Sequence, residues 1–320
     1  MKAYFNILIL FIIATNLAFA FDLDQKIEAF KVPKIHGIFS QGEKLILNGQ
    51  ELVVGEQLGK GAHGVVYRTS YSGKNIAAKV ATPDHKKDLI KEAIILEHLK
   101  RTAGILESQG IFEDSIGNTV LLMEEARPVS GLDFNKDFAI KLVKTLSEIH
   151  KKGIGHNDLK IDNVLVDKNK NPIVIDFGRA YQIKNSPSVL KKDLGDLWTI
   201  LLVLKAKAGG MHLILEYAQF FNRNKDQITE KIIEEYKKLS DEDLKGLWER
   251  GEFPIDPDTG LKNEEILRFL AEKLDLDKYA EEAFLANMSV RMDALDKVLF
   301  DLMIGKVKTT KQALERLTIL

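Results

Sequence analysis

Three things are missing from this chain: cysteine, an excess of basic charge, and an apolar run long enough for an ordinary membrane span. Without cysteine there is neither a disulfide framework nor a thiolate zinc site, and the seven histidines are scattered. With 46 Lys and Arg against 47 Asp and Glu, no positive field announces a polyanion, so we expect no nucleic-acid partner. Phe5–Ala14 is almost wholly apolar yet falls well short of the roughly 20 residues that cross a bilayer. That run matches an export signal instead, with Lys2 ahead of it and Ala18-Phe19-Ala20 before a cut. We therefore read 1–20 as a signal peptide and expect an exported protein, secreted, periplasmic or luminal, with no membrane attachment once the signal is removed. Residues 21–43 read as a polar extension packed on the body, with no legible role. The 45% hydrophobic content suits one large globular domain over 44–320.

What is present is organised around His156–Gly178, which runs His156-Asn157-Asp158-Leu159-Lys160-Ile161-Asp162-Asn163 and ends Asp176-Phe177-Gly178. Asp158 and Asn163 are five apart, and Asp176 follows Asn163 by thirteen. Apolar runs at Val164–Val166 and Ile173–Ile175 flank a polar turn, so two short strands would bring these polar groups together. Such a trio suits phosphoryl transfer. That chemistry needs divalent metal on a nucleotide's phosphates, oxygen ligands for the metal, and a carboxylate for the attacking hydroxyl.

Upstream, Asn48-Gly49 between apolar runs predicts a tight hairpin. Gly59, Gly61 and Gly64 would let a backbone approach phosphate oxygens, since no Cβ intervenes. A dinucleotide-binding fold would place a helix after them, whereas Val65–Ser70 continues as strand and turns at Ser72-Gly73 into Asn75–Val80. Lys79 stands in that apolar strand and needs an anion if it is buried. The helix expected over about 86–100 offers Glu92 and Glu97.

With these residues in place, the stretch from about Val53 to Leu204 resembles the protein kinase family, whose catalytic loop reads His-Arg-Asp-Leu-x-x-x-Asn and whose metal motif reads Asp-Phe-Gly. The resemblance implies an α+β, two-lobed fold, with a small five-stranded antiparallel β lobe carrying one helix over 44–125 and a larger helical lobe over 126–320. It implies ATP and Mg2+ as cofactors, Asp158 as base, Lys160 against the transferred phosphate, and Asn163 and Asp176 as metal ligands. Gly59, Gly61, Gly64 and Lys79 would hold the phosphates, with Glu92 clamping Lys79. Met123 would back the adenine pocket, and Glu124, Glu125 and Ala126 would form the linker that hydrogen-bonds adenine. Asp196 would support the catalytic-loop backbone, an ordinary helix N-terminal carboxylate being the alternative.

Lys160 points to serine or threonine hydroxyls of a protein, because small-molecule phosphotransferases of a related fold commonly have histidine there. Two departures stand out. Asn157 replaces an arginine that in many kinases pairs with a phosphorylated activation segment, so we expect no such switch. Only Arg179–Lys192 separate the metal motif from the next helix, and the Ala-Pro-Glu segment is missing. Trimmed segment and export signal together resemble kinase effectors that bacteria deliver into host cells. A small-molecule, lipid or glycan kinase and a nucleotide-binding pseudokinase scaffold stay open. Downstream, Ile228, Ile232, Ile233, Tyr236 and Leu239 form an amphipathic stripe of a packed helix, and Gly251–Gly260 reads as a turn-rich loop.

Overall fold

The computed structural model describes residues 21–61, 64–240, 242–243, 276–288 and 291–319. The expected signal peptide and the Gly251–Gly260 loop lie outside these residues. Two compact units form. One comprises the described residues up to Val129 with Asp137–Leu197 and Thr309–Leu314; the other comprises Ser130–Lys136, Trp198–Lys308 and the residues from Glu315.

The first unit begins with helix α1 (Leu23–Ala29), capped where the Asp22 carboxylate accepts from the Gln25 N–H. Six antiparallel strands follow: β1 (Lys44–Leu47), β2 (Gln50–Gly61), β3 (Gly64–Tyr71), β4 (Lys74–Ala81), β5 (Ser108–Glu113) and β6 (Thr119–Glu124), in the order β1-β2-β3-β4-β6-β5. The expectation of five strands is corrected. Asn48 and Gly49 take φ of 52° and 76°, so the turn closes tightly and Leu47 faces Gln50, adding β1 as a sixth strand. One sheet face buries Leu45, Leu52, Val54, Ala78, Phe112, Val120 and Leu122. The extension is part of this body: Phe39 joins that core, its N–H donating to Asp114, and the Ile35 N–H donates to the Glu113 carbonyl.

Helix α2 (Lys86–His98) packs on β5 and β6, burying Leu89, Ile90, Ala93, Ile94 and Ile95. Beyond β7 (Arg127–Pro128), helix α3 (Lys136–Lys151) buries Phe138, Leu142, Val143, Leu146 and Ile149 at helical spacing and gives out at Gly153, whose φ is 80°. Strand β8 (Ile154–Gly155) leads into the loop at His156. Strands β9 (Val164–Val166) and β10 (Pro172–Val174) pair antiparallel about a turn in which Asp167 Oδ1 accepts from the Asn169 and Asn171 N–H groups. Strand β11 (Tyr181–Gln182) pairs with β8, and α4 (Val189–Lys207) buries Leu197, Trp198, Ile200, Leu201, Leu202 and Leu204.

The second unit contains α5 (Leu213–Lys238), α6 (Leu276–Met288) and α7 (Ala294–Met303). Ile228, Ile232 and Ile233 of the expected stripe are buried with Leu276 and Ala280, and Phe284 stacks on Phe300 with centroids 5.0 Å apart. Helix α8 (Thr310–Ile319) closes the described chain. Among the described residues, no helix is long and apolar enough to cross a membrane.

Candidate active site

The glycines of the β2–β3 turn differ in what they permit. A Cβ on Gly64 would lie 1.9 Å from the Val80 carbonyl oxygen, whereas Gly59 and Gly61 have nothing within 4 Å of that position. Gly64 therefore serves strand packing, and the open space falls at Gly59 and Gly61. Opposite this turn, β4 carries Lys79, in register with Val66 of β3 and Leu121 of β6.

The Lys79 Nζ lies 2.6 Å from Glu92 Oε2 and 2.8 Å from Asp176 Oδ1. Helix α2 delivers Glu92, which is buried; Glu97, the other candidate, is exposed and pairs with Lys100. Burial works against the Lys79 charge, but the two carboxylates outweigh it and raise its pKa above the ordinary value. Burial also pushes Glu92 upward, with Lys79 pulling the other way. For Asp176, burial would raise the pKa, but Lys79 overrides it and holds the carboxyl below its usual range.

Asp176 sits at φ 66° and Asn157 at φ 65°, a left-handed conformation that costs side-chain-bearing residues energy and concentrates at functional sites. The Ile175 N–H donates to the Asn163 carbonyl at 3.0 Å, joining the His156–Asn163 loop to the strand end. His156 is fully buried: its Nε2 lies 2.8 Å from the Ile175 carbonyl and its Nδ1 accepts from the Asp158 N–H at 3.3 Å. This assigns the neutral tautomer with the proton on Nε2, and burial lowers its pKa.

Within the loop, the Asn163 Nδ2 donates to the Asp158 carbonyl at 2.8 Å, which leaves the amide oxygen as the face available to a cation. Asn163 and Asp176 thus offer hard oxygen donors, a set that fits magnesium completed by substrate phosphates rather than an all-protein cage. Lys160 lies 3.1 Å from Asp158, and Arg179, which sequence reasoning did not single out, approaches the same carboxylate at 3.8 Å.

One assignment is corrected. Asp193, not Asp196, supports the loop: its carboxylate accepts from the backbone N–H groups of His156 and Asn157, both at 2.7 Å, and lies 2.9 Å from His150 Nε2. Asp193 is fully buried, and these donors overcome the cost of burial and hold its pKa low. Asp196 pairs with Lys192 on the exposed side. Because α4 starts at Val189 rather than at Asp193, Asp193 lies in the second turn and faces inward; the sequence has two aspartates three apart and no signal to separate them.

Met123 is buried opposite Ala77, and Glu124 closes β6 against Ile76. Arg68 fixes the neighbouring Glu125 with hydrogen bonds of 2.6–3.1 Å, so the linker into Ala126 leaves the sheet from an anchored position. The Asn157 side chain donates to the Arg179 carbonyl at 3.2 Å, a neutral tie across the segment after Gly178.

Against known proteins, the profile of the protein kinase domain matches residues 52–199. The chain is similar to NUAK family SNF1-like kinase 1 of Mus musculus, 30% identical over 145 residues, covering 38% of this chain and 21% of that protein. It is also similar to calcium-dependent protein kinase 11 of Arabidopsis thaliana, 28% identical over 198 residues, covering 50% and 40%. A solved BubR1 kinase domain is 21% identical with a TM-score of 0.41, covering 51% of this chain and 58% of that one. The chain spans less than half the length of these curated relatives.

Proposed function

We propose, from the match of residues 52–199 to the protein kinase domain, that this protein is an ATP-dependent serine/threonine protein kinase. One observation carries the reading. The Lys79 ammonium, on a strand, is held between Glu92 of a helix and Asp176, 97 residues away in sequence.

In the reaction the acceptor hydroxyl oxygen bonds to the γ-phosphorus, the bond from that phosphorus to the β–γ bridging oxygen breaks, and ADP leaves. Asp158 takes the hydroxyl proton. Lys79 binds the phosphate chain and is kept in place by Glu92, and Lys160 offsets charge on the transferred group. Gly59 and Gly61 admit the phosphates close to the backbone. Met123, Glu124 and Ala126 form the adenine side of the site. Asn163 and Asp176 would hold magnesium, which when bound neutralises the phosphates' negative charge.

The test is turnover of γ-labelled ATP with magnesium, beside Asp176→Ala, tracing label into protein, lipid and sugar. Label in protein serine or threonine that is lost in Asp176→Ala supports the proposal. Label only in lipid or sugar replaces it with the small-molecule reading, and nucleotide binding without transfer replaces it with a pseudokinase scaffold.

We propose further that the protein is exported and acts in another cell or compartment, a reading supported by the pattern of residues 2–20. The mature protein would then begin at Phe21. Full-length protein confined to the producing cell's cytosol overturns this.

A further inference from the structure

Residues 21–30 touch two elements at once. The Phe21 ring stacks on His98, near the end of α2, with centroids 3.8 Å apart. Leu23 is buried, its N–H donating to Gln182 Oε1 at 3.3 Å, while the Gln182 amide donates to the Phe21 carbonyl. Gln182 is itself buried, on β11, six residues after Asp176. Its neighbour Tyr181 lies under Lys91 of α2, the ammonium 5.6 Å from the ring centroid. Three elements, α1, α2 and β11, are thereby tied pairwise.

The tie is concentrated at one end of α1. A cavity of about 630 Å³ is lined by Phe21, Lys26, Ala29 and Phe30 on one side and by Ala93, Ile94, Glu97 and His98 on the other, so part of α1 faces open space beside α2. Phe21–Leu23 is bonded to Gln182, and both polar atoms of that amide are spent there. A buried amide satisfied on both atoms is costly to release.

We infer that Gln182 is a positioning residue: through residues 21–23 it holds α2 against the segment after Asp176, so that Glu92 meets Lys79 without a phosphate on that segment. What is positioned rests on the kinase reading; the tie itself does not. Asn157, bonded to Arg179, makes the corresponding link on the other side of the segment.

The experiment uses the full chain with Gln182→Ala, Gln182→Glu and Phe21→Ala, read by steady-state kinetics and amide hydrogen exchange. In Gln182→Ala, which removes both hydrogen bonds to residues 21–23, kcat is expected to fall roughly tenfold or more, with the acceptor KM unchanged. Exchange should quicken across 86–98 and 177–182 but not in α3. Gln182→Glu keeps the acceptor for Leu23 and loses the donor to Phe21, so its kcat and exchange should be intermediate. Wild-type exchange at 86–98 in Gln182→Ala, with kcat intact, overturns the inference. If the wild-type chain transfers no phosphate, the proposed function fails, and exchange at α2 still decides the tie. Should Gln182→Ala not fold, Phe21→Ala, which removes the stack on His98 and the Lys26 contact with the ring but keeps the backbone hydrogen bond to Gln182, is read in the same way.

Discussion

Lys79 and Glu92 are held by each other's charge, and removing one exposes the cost of burying the other. In Lys79→Met, Glu92 keeps a carboxylate 3% exposed with no counter-ion. We expect a loss of about 3 kcal/mol at pH 7, the scale for breaking a buried pair from one side, together with loss of phosphotransfer. Because burial already raises the Glu92 pKa, acid lets the variant protonate and discharge this carboxyl. Urea unfolding should show the gap to wild type narrowing from pH 7 to pH 5. His156 acts in the other direction. Its folded pKa is lowered by burial from an ordinary 6.5, so below that pH the unfolded chain binds a proton that the folded chain refuses. Stability is therefore present above pH 6.5 and drains as pH falls beneath it. Protonation would also set an Nδ1–H against the Asp158 N–H. Thermal unfolding across pH 7 to 5 should show the decline, with a shallower slope in His156→Gln.

At the scale of elements, the β2–β3 hairpin separates two roles that its glycines share in sequence. Gly64→Ala drives a Cβ into the Val80 carbonyl and must push β3 from β4. A lower melting temperature and weaker ATP binding should appear together. Gly61→Ala meets empty space, so the melting temperature should hold while the KM for ATP rises. Differential scanning calorimetry beside ATP kinetics separates the two, and equal melting losses would show that both glycines serve packing alone. The loop from His156 to Asn163 is an element of the same kind: its backbone hangs on Asp193, whose three donors come from α3 and from the loop itself.

At the scale of the molecule, each unit carries its own core. In the helical unit Phe284 is fully buried, stacked on Phe300 and edge-on to Tyr217. Phe284→Ala should cost about 3–5 kcal/mol, the usual range for truncating a core aromatic. Hydrogen exchange should place that loss in α5–α7, with β4 and β6 near wild-type protection; an equal loss in both units would mean that they unfold as one. With 46 positive and 47 negative side chains, long-range steering of a charged substrate has little to draw on.

The sequence by itself determined the strands around the glycine turn, the lysine strand, the helix with Glu92 and the Asp158, Asn163 and Asp176 trio, because each rests on local pattern: alternation, turn residues, and spacing within one segment. Only the tertiary structure decided between Asp193 and Asp196, by the helix starting four residues earlier. Only it put Phe21–Leu23 on Gln182. Those choices turn on which side of an element faces inward and on what lies opposite, and neither is written in the neighbouring residues.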